Sequence, residues 1–271
     1  MPELPEVENI VCQLRKFLPG LEIAAVDLRT PSILKSGKAE DLKKFFGKKI
    51  RAIERRGKFL IFRVEPAASF YVHLGMTGQL LWDFKPGAKE QHVHAVFAFR
   101  GTEKKLAYRD IRRFGGIALV SGDPATWPGV RLLGPEPFEI GEADFLKRFS
   151  KRRACIKNLL LNQKLLAGVG NIYADEALFR AGIDPRKRSR ALKQQKFLAL
   201  RLSIIEVLKE AIEAGGSSID DYVHVNGRRG GFQARHRVYA RAGKKCVYCD
   251  VLIKRVVLGG RSSFFCPNCQ K

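Results

Sequence analysis

The 271-residue chain is short of negative charge and contains no long apolar run. Its 27 Asp and Glu stand against 50 Lys and Arg, which gives a formal net charge of +23. Because the basic residues are spread along the whole chain, this excess is not a basic tail, and it favours nucleic acid as partner, with an anionic membrane surface as the main alternative. No stretch approaches the roughly 20 apolar residues of a membrane span, so we expect no membrane association.

We also expect no signal peptide at the N-terminus. Its first eight residues, Met1-Pro-Glu-Leu-Pro-Glu-Val-Glu8, are acidic and have neither the basic start nor the apolar centre of such a peptide. We therefore expect an intracellular protein whose cysteines are reduced unless a metal holds them.

The order of sequence patterns predicts an α+β multidomain protein. Apolar residues recur at helical spacing over residues 5–18 and stop at Pro19-Gly20. From about 21 to 120, short apolar runs separated by Gly- and Pro-containing turns are typical of a β-sandwich. A Gly- and Pro-rich linker at 121–141 leads to a helical part with predicted helices at 142–150, 154–161, 170–181 and 189–214.

The C-terminal tail contains four of the six cysteines, arranged as two Cys-x-x-Cys pairs with sixteen residues between them: Cys246, Cys249, Cys266 and Cys269. Two such pairs can close a tetrahedral thiolate site around zinc, whereas a redox centre needs only one pair. Four thiolates leave no open coordination position. The spacing therefore predicts one structural Zn²⁺ that folds a ribbon too small to bury its own core.

The second residue offers an unusual nucleophile. Removal of Met1 would expose the α-amine of Pro2, and such amines have a pKa of about 8 against about 10.4 for lysine. A neutral secondary amine can attack a sugar carbon and form an iminium ion, while Glu3 shuttles protons. The alternative is an ordinary helix start, since proline suits the first turn and acidic residues suit the helix dipole. Taken alone, the two residues favour the helix start.

Three segments together resemble the formamidopyrimidine-DNA glycosylase family along essentially the whole chain. They are the N-terminal octapeptide, Gly168-Val-Gly-Asn-Ile-Tyr-Ala-Asp-Glu176 and Gly259-Gly-Arg-Ser-Ser-Phe-Phe-Cys-Pro267. The resemblance implies an N-terminal β-sandwich catalytic domain with a leading helix (1–130) and a helix-two-turn-helix domain (131–220). A lesion-covering loop with a four-cysteine zinc ribbon would follow (221–271).

The resemblance also implies a function. The family's members are bifunctional DNA glycosylases and AP lyases that excise oxidised purines such as 8-oxoguanine and formamidopyrimidines. A Schiff base at Pro2 followed by β,δ-elimination is the implied chemistry, and double-stranded DNA containing a damaged base is the implied partner. We expect a monomer in the bacterial cytoplasm, associated with the nucleoid through DNA.

Residue by residue, the resemblance implies four catalytic side chains. Pro2 matches the nucleophile and Glu3 the proton donor or acceptor. Lys58 matches a lysine implicated in β-elimination and phosphate contact, although a lone lysine in a hairpin is more often a solvated turn residue. Arg261 matches the arginine that grips the phosphate beside the flipped nucleotide and is tied to δ-elimination.

The remaining matches are DNA contacts. Met76, Arg112 and Phe114 match a wedge that fills the gap left by the extruded nucleotide. Without context Met76 and Phe114 would more often be strand core, but the glycines beside both indicate exposed loop tips. His92 and Arg152 match further DNA contacts. Asn171 matches a phosphate-holding residue, a role compatible with its being a helix N-cap.

Two departures from the family's pattern make the lesion preference less secure than the reaction. Asp220 stands where family members often carry a basic residue, and the segment 233–238 is unusually basic. One alternative is therefore an endonuclease VIII-like glycosylase for oxidised pyrimidines. The start of the chain and the wedge residues favour the purine-specific enzyme over this alternative. Another is a non-catalytic zinc-ribbon protein that binds damaged DNA.

Overall fold

The structure is a computed structural model that describes residues 1–87, 90–121, 125, 127–219 and 222–271. These residues form two compact units. The N-terminal unit comprises 1–132 and 214–231, and the C-terminal unit comprises 133–213 and 232–271. None of the helices in the described ranges is long and apolar enough to cross a membrane. Asp220 lies outside the described residues.

The N-terminal unit begins with helix α1 (Leu4–Leu14), which is shorter than the predicted 5–18. Its apolar face, including Val7 and Ile10, is fully buried. Beyond Leu14 the helix tightens, because the N–H groups of Lys16 and Phe17 bond the carbonyls only three residues back. Pro19 and Gly20 follow, and the positive φ of Gly20 (88°) turns the chain away.

Two sheets form the rest of this unit. In the described residues one sheet has the order β1-β7-β8-β6 and the other β2-β9-β5-β4-β3, with only the β2–β9 pair parallel. The strands are β1 (Ile23–Leu28), β2 (Leu34–Ser36), β3 (Ile50–Arg56), β4 (Phe59–Val64), β5 (Ala68–His73), β6 (Gly78–Trp82), β7 (Val93–Phe99), β8 (Lys105–Asp110) and β9 (Gly116–Ser121).

Aromatic stacking joins the inner faces of the sheets. Phe70 of β5 stacks on Phe62 of β4 at 4.4 Å between ring centroids, and on Phe97 of the other sheet at 5.2 Å. The apolar side of α1 packs into the same core. A short helix, α2 (Pro128–Arg131), lies within the predicted linker.

The C-terminal unit is mainly helical and ends in a β-hairpin. Its elements are α3 (Glu142–Phe149), α4 (Ile156–Leu160), α5 (Asn171–Arg180), α6 (Gln194–Glu213), β10 (Lys254–Leu258) and β11 (Arg261–Phe265). Each of α3, α4 and α5 lies within two residues of its predicted bounds. Helix α6 starts five residues later than predicted, because Ser189 bonds the carbonyls of Phe149 and Ala154 and holds 189–191 as a 3₁₀ turn.

Candidate active site

The start of α1 is buried and held by one carboxylate. Pro2 and Glu3 are buried, and Glu6 Oε2 accepts the Glu3 N–H at 2.8 Å. The other oxygen, Glu6 Oε1, accepts the N–H of Ser217 at 2.7 Å. Glu6 therefore ties the predicted nucleophile's neighbour to a segment 211 positions away. Glu6 belongs to the N-terminal octapeptide, but no sequence signal pointed to Ser217.

That distant segment, 214–231, closes on itself at its base. The Gly231 N–H bonds the carbonyl of Ala214 at 2.8 Å, and the Gly230 N–H bonds Ser218 Oγ at 2.9 Å. A Cβ on Gly230 would lie 2.4 Å from the carbonyl oxygen of Gly215, so glycine is required there by close approach of two backbones. The base of the predicted lesion-covering loop is thus fixed by backbone contacts.

Lys58 lies in the turn between β3 and β4, and its exposed fraction is only 7%. It is therefore not a solvated turn residue. His73, at the end of β5, lies near it: burial and the charge of Lys58 lower the pKa of His73 to about 4. The ring is neutral at pH 7, and its Nδ1 accepts the N–H of Gly75 at 3.1 Å, which leaves the proton on Nε2.

The three predicted wedge residues lie on two exposed loop tips. Met76 is 39% and Phe114 57% exposed, so neither is strand core. The guanidinium carbon of Arg112 lies 4.6 Å from the centroid of the Phe114 ring. This cation–π contact places a flat apolar ring and a hydrogen-bond donor side by side.

The other predicted DNA contacts lie in several places. His92 precedes β7 with a positive φ of 67°, and its carbonyl accepts the Asp110 N–H at 3.0 Å. Arg152 is exposed and donates through Nε to the carbonyl of Arg148 at 2.5 Å. Asn171 is the first residue of α5, whereas the N-cap is Gly170. Its Nδ2 donates to the carbonyl of Ser262 at 3.0 Å.

Arg261 is exposed at the start of β11, directly after the Gly259-Gly260 turn. Both glycines have positive φ values, 56° and 75°. Lys157 of α4, which sequence reasoning missed, bonds this hairpin. Lys157 Nζ, fully buried, lies 2.7 Å from Asp175 Oδ1 and donates to the carbonyl of Ser262 at 2.9 Å.

The C-terminal cysteines are grouped for a metal. The four Sγ atoms all lie within 4.8 Å of one another. Cys246 and Cys269 are 3.8 Å apart, and Cys249 is 3.4 Å from both Cys266 and Cys269. A zinc–sulfur bond of about 2.3 Å sets the edge of a thiolate tetrahedron at about 3.8 Å, so the donor set fits Zn²⁺.

Family models match all three parts of the chain. The model described as formamidopyrimidine-DNA glycosylase N-terminal domain matches residues 1–117. The model for that enzyme's H2TH domain matches 133–223, and one for a zinc finger found in FPG and IleRS matches 243–271. The chain belongs to the formamidopyrimidine-DNA glycosylase family.

Full-length relatives agree with this membership. The chain is 47% identical to the formamidopyrimidine-DNA glycosylase of Solibacter usitatus over 273 residues, with 100% of both chains covered. It is 39% identical to that of Bacillus subtilis, with 100% of this chain and 99% of the relative covered. A Lactococcus lactis Fpg in complex with DNA containing an abasic site is 36% identical, covers 99% of both chains and has a TM-score of 0.93.

Four predictions are confirmed by these matches. The family and the α+β fold, with its β-sandwich, helix-two-turn-helix domain and zinc ribbon, are as predicted. As a member of the formamidopyrimidine-DNA glycosylase family, the chain is a DNA glycosylase. The zinc-finger match and the four-cysteine cluster confirm one structural zinc ion.

Proposed function

We propose that this glycosylase excises oxidised purines from double-stranded DNA and then cuts the strand by β,δ-elimination. The observation that carries the proposal is the buried Pro2-Glu3 start of α1, held by Glu6. Solved relatives support the substrate class: one, at 36% identity and a TM-score of 0.91, is MutM in complex with DNA containing carbocyclic 8-oxo-G. Another is a Lactococcus lactis Fpg variant with Fapy-dG-containing DNA, at 36% identity and a TM-score of 0.93.

The proposed chemistry begins once Met1 is removed. The Pro2 nitrogen forms a bond to the anomeric sugar carbon, and the damaged base leaves with the bonding electron pair and takes up a proton. Opening of the sugar ring gives an iminium ion, which makes the adjacent C–H acidic. Glu3 moves these protons, and removal of the C–H proton expels the 3′ phosphate.

The other proposed roles are those that the family resemblance implies. Lys58 assists β-elimination and Arg261 holds the phosphate for δ-elimination. Met76, Arg112 and Phe114 fill the gap left by the extruded nucleotide, and His92, Arg152 and Asn171 contact DNA. We propose domains at 1–130, 131–220 and 221–271, and a monomer without membrane association in the nucleoid-containing bacterial cytoplasm.

The test is borohydride trapping on duplex DNA with one abasic site. The native N-terminus should give a covalent adduct that maps to the N-terminal peptide by mass spectrometry. A short tag kept ahead of Pro2 should abolish the adduct, whereas the same tag at the C-terminus should leave it intact. An adduct of full yield in the N-terminally tagged chain would disprove the Pro2 mechanism, and none in any form would indicate a non-catalytic binder.

The base preference needs a separate test, because one solved relative is bound to DNA with a damaged pyrimidine and not a purine. The wild-type Lactococcus lactis Fpg with DNA containing an oxidised pyrimidine is 36% identical to this chain and has a TM-score of 0.92. Duplexes with 8-oxoguanine or thymine glycol at one position would be compared by single-turnover excision. Faster excision of thymine glycol would favour the endonuclease VIII-like alternative.

A further inference from the structure

Asp110, the last residue of β8, is a fully buried carboxylate between the two exposed tips. Its Oδ1 accepts the hydroxyl of Thr77 at 2.5 Å. Its Oδ2 accepts the N–H of Gly115 at 2.9 Å and the hydroxyl of Tyr108 at 3.2 Å. One side chain therefore binds the loop that bears Met76, through Thr77, and the loop that bears Arg112 and Phe114, through Gly115.

Thr77 also makes a second link between the two loops. Its oxygen accepts the backbone N–H of Arg112 at 3.0 Å, while its hydroxyl donates to Asp110 Oδ1. Because a backbone N–H can only donate, the hydroxyl hydrogen of Thr77 remains available for Asp110. One hydroxyl therefore bonds both the carboxylate and the neighbouring loop.

The backbones of the two loops also touch. Gly75 has a positive φ of 59°, and a Cβ on it would lie 2.4 Å from the nitrogen of Gly115. A Cβ on Gly115 would lie 2.3 Å from the carbonyl oxygen of His73. Because no side chain separates the loops, the bonds to Asp110 act across a direct backbone contact.

We propose that Asp110 is a positioning residue that holds Met76, Arg112 and Phe114 as one preformed unit before DNA is bound. This inference rests on the proposed wedge function. Extruding a paired nucleotide costs a few kcal/mol, so the wedge must be in place as the base leaves the stack. Hydrogen bonds to a carboxylate are among the stronger ones in proteins, and here they fix both loops to one buried side chain.

Thr77→Val and Thr77→Ser form the matched test. Valine removes the hydroxyl at nearly the same size and so breaks both links, whereas serine keeps it. Nucleotide extrusion would be followed by the fluorescence of 2-aminopurine placed beside 8-oxoguanine in duplex DNA. We expect extrusion and excision to slow roughly tenfold in Thr77→Val and to change less than about twofold in Thr77→Ser. Asp110→Asn should slow them at least as much as Thr77→Val.

A substrate that needs little extrusion separates positioning from general damage to the fold. Borohydride trapping on a single-stranded abasic oligonucleotide should be unchanged in Thr77→Val. Equal extrusion rates in the two Thr77 variants, or equal losses on single-stranded and duplex DNA, would overturn the role of Asp110. Absence of trapping in the wild-type chain would instead overturn the proposed function itself.

Discussion

The zinc ribbon and the start of α1 are both held by a few polar side chains, but in different ways. In the ribbon, four sulfur ligands between Cys246 and Cys269 close on one point, within 24 positions of sequence. At α1, the Glu6 carboxylate accepts the N–H of Glu3 and also that of Ser217, which lies 211 positions after Glu6. The ribbon is thus stabilised by a metal, whereas the α1 site depends on contacts between segments that are far apart in sequence. The following predictions test this difference.

Removal of zinc should give the largest effect and should be confined to the ribbon. Metal binding supplies about 10–16 kcal/mol of folding free energy in zinc-finger peptides. Chelation, or Cys249→Ser, should therefore abolish slow hydrogen exchange in β10 and β11 and release one zinc per chain, while α1 stays protected. Cys12→Ser is the control, because Cys12 is an exposed cysteine outside the cluster. Slow hydrogen exchange in a metal-free ribbon would show that the ribbon does not depend on zinc for its stability.

Lys157→Met should destabilise the support of the ribbon. The Lys157–Asp175 pair is fully buried at 2.7 Å, and removing one partner of a buried pair costs about 3–5 kcal/mol. Urea unfolding of the C-terminal unit measures the loss. The exposed Lys44–Asp41 pair has the same 2.7 Å separation, so Lys44→Met is a matched control that should change little. Equal effects of the two variants would show that burial does not matter here.

Acid should weaken the two compact units alike. Burial is the main cause that lowers the pKa of His73, in the N-terminal unit, and of His236, in the C-terminal unit, to about 4. Between pH 6.5 and 4 the unfolded chain takes up protons that the folded chain refuses, so stability present above pH 6.5 is lost as the pH falls. From pH 7 to 4.5 we expect a loss of about 2–3 kcal/mol per histidine.

Paired variants assign this loss. His73→Phe should flatten the acid dependence of the N-terminal unit only, and His236→Phe that of the C-terminal unit only, as measured by urea titrations at each pH. If the pH dependence of stability is unchanged in His73→Phe, another group causes the loss of stability of the N-terminal unit in acid.

Glu6→Gln should have the smallest effect on stability. It keeps the shape of the side chain but removes the charge that two N–H groups share, at a cost of about 1–2 kcal/mol. Hydrogen exchange should rise at 217–219, and the rate of borohydride trapping should fall. Glu22→Gln is the control, since Glu22 pairs with Arg100 at the surface of the same unit at 3.0 Å. Normal exchange at Ser217 would show that Glu6 does not hold this segment.

Features that depend on residues close together in sequence could be predicted from the sequence. Cysteine spacing sufficed for the zinc site, and helical periodicity placed α3, α4 and α5 to within two residues. Glycines beside Met76 and Phe114 correctly indicated exposed tips.

Contacts assembled by the fold could not be predicted. Lys58 looked like a solvated turn residue, yet it is buried, because the burial of a hairpin turn depends on what covers it. Asp110 and Lys157 carry no local signal either, since their partners come from other strands and helices. The catalytic reading of Pro2 came from the family resemblance, because the residues alone favoured an ordinary helix start.

The contact of Arg112 with Phe114 bears on how such an enzyme searches DNA. The guanidinium carbon lies 4.6 Å from the ring centroid, on loops whose backbones touch at Gly75 and Gly115. This contact restricts the rotamers of both side chains, so less conformational entropy is left to lose when they meet a base pair. In the proposed role, a wedge whose side chains have few rotamers left to fix can test successive base steps while the protein slides along DNA. The protein would then stop where the stacking between neighbouring base pairs is weakened.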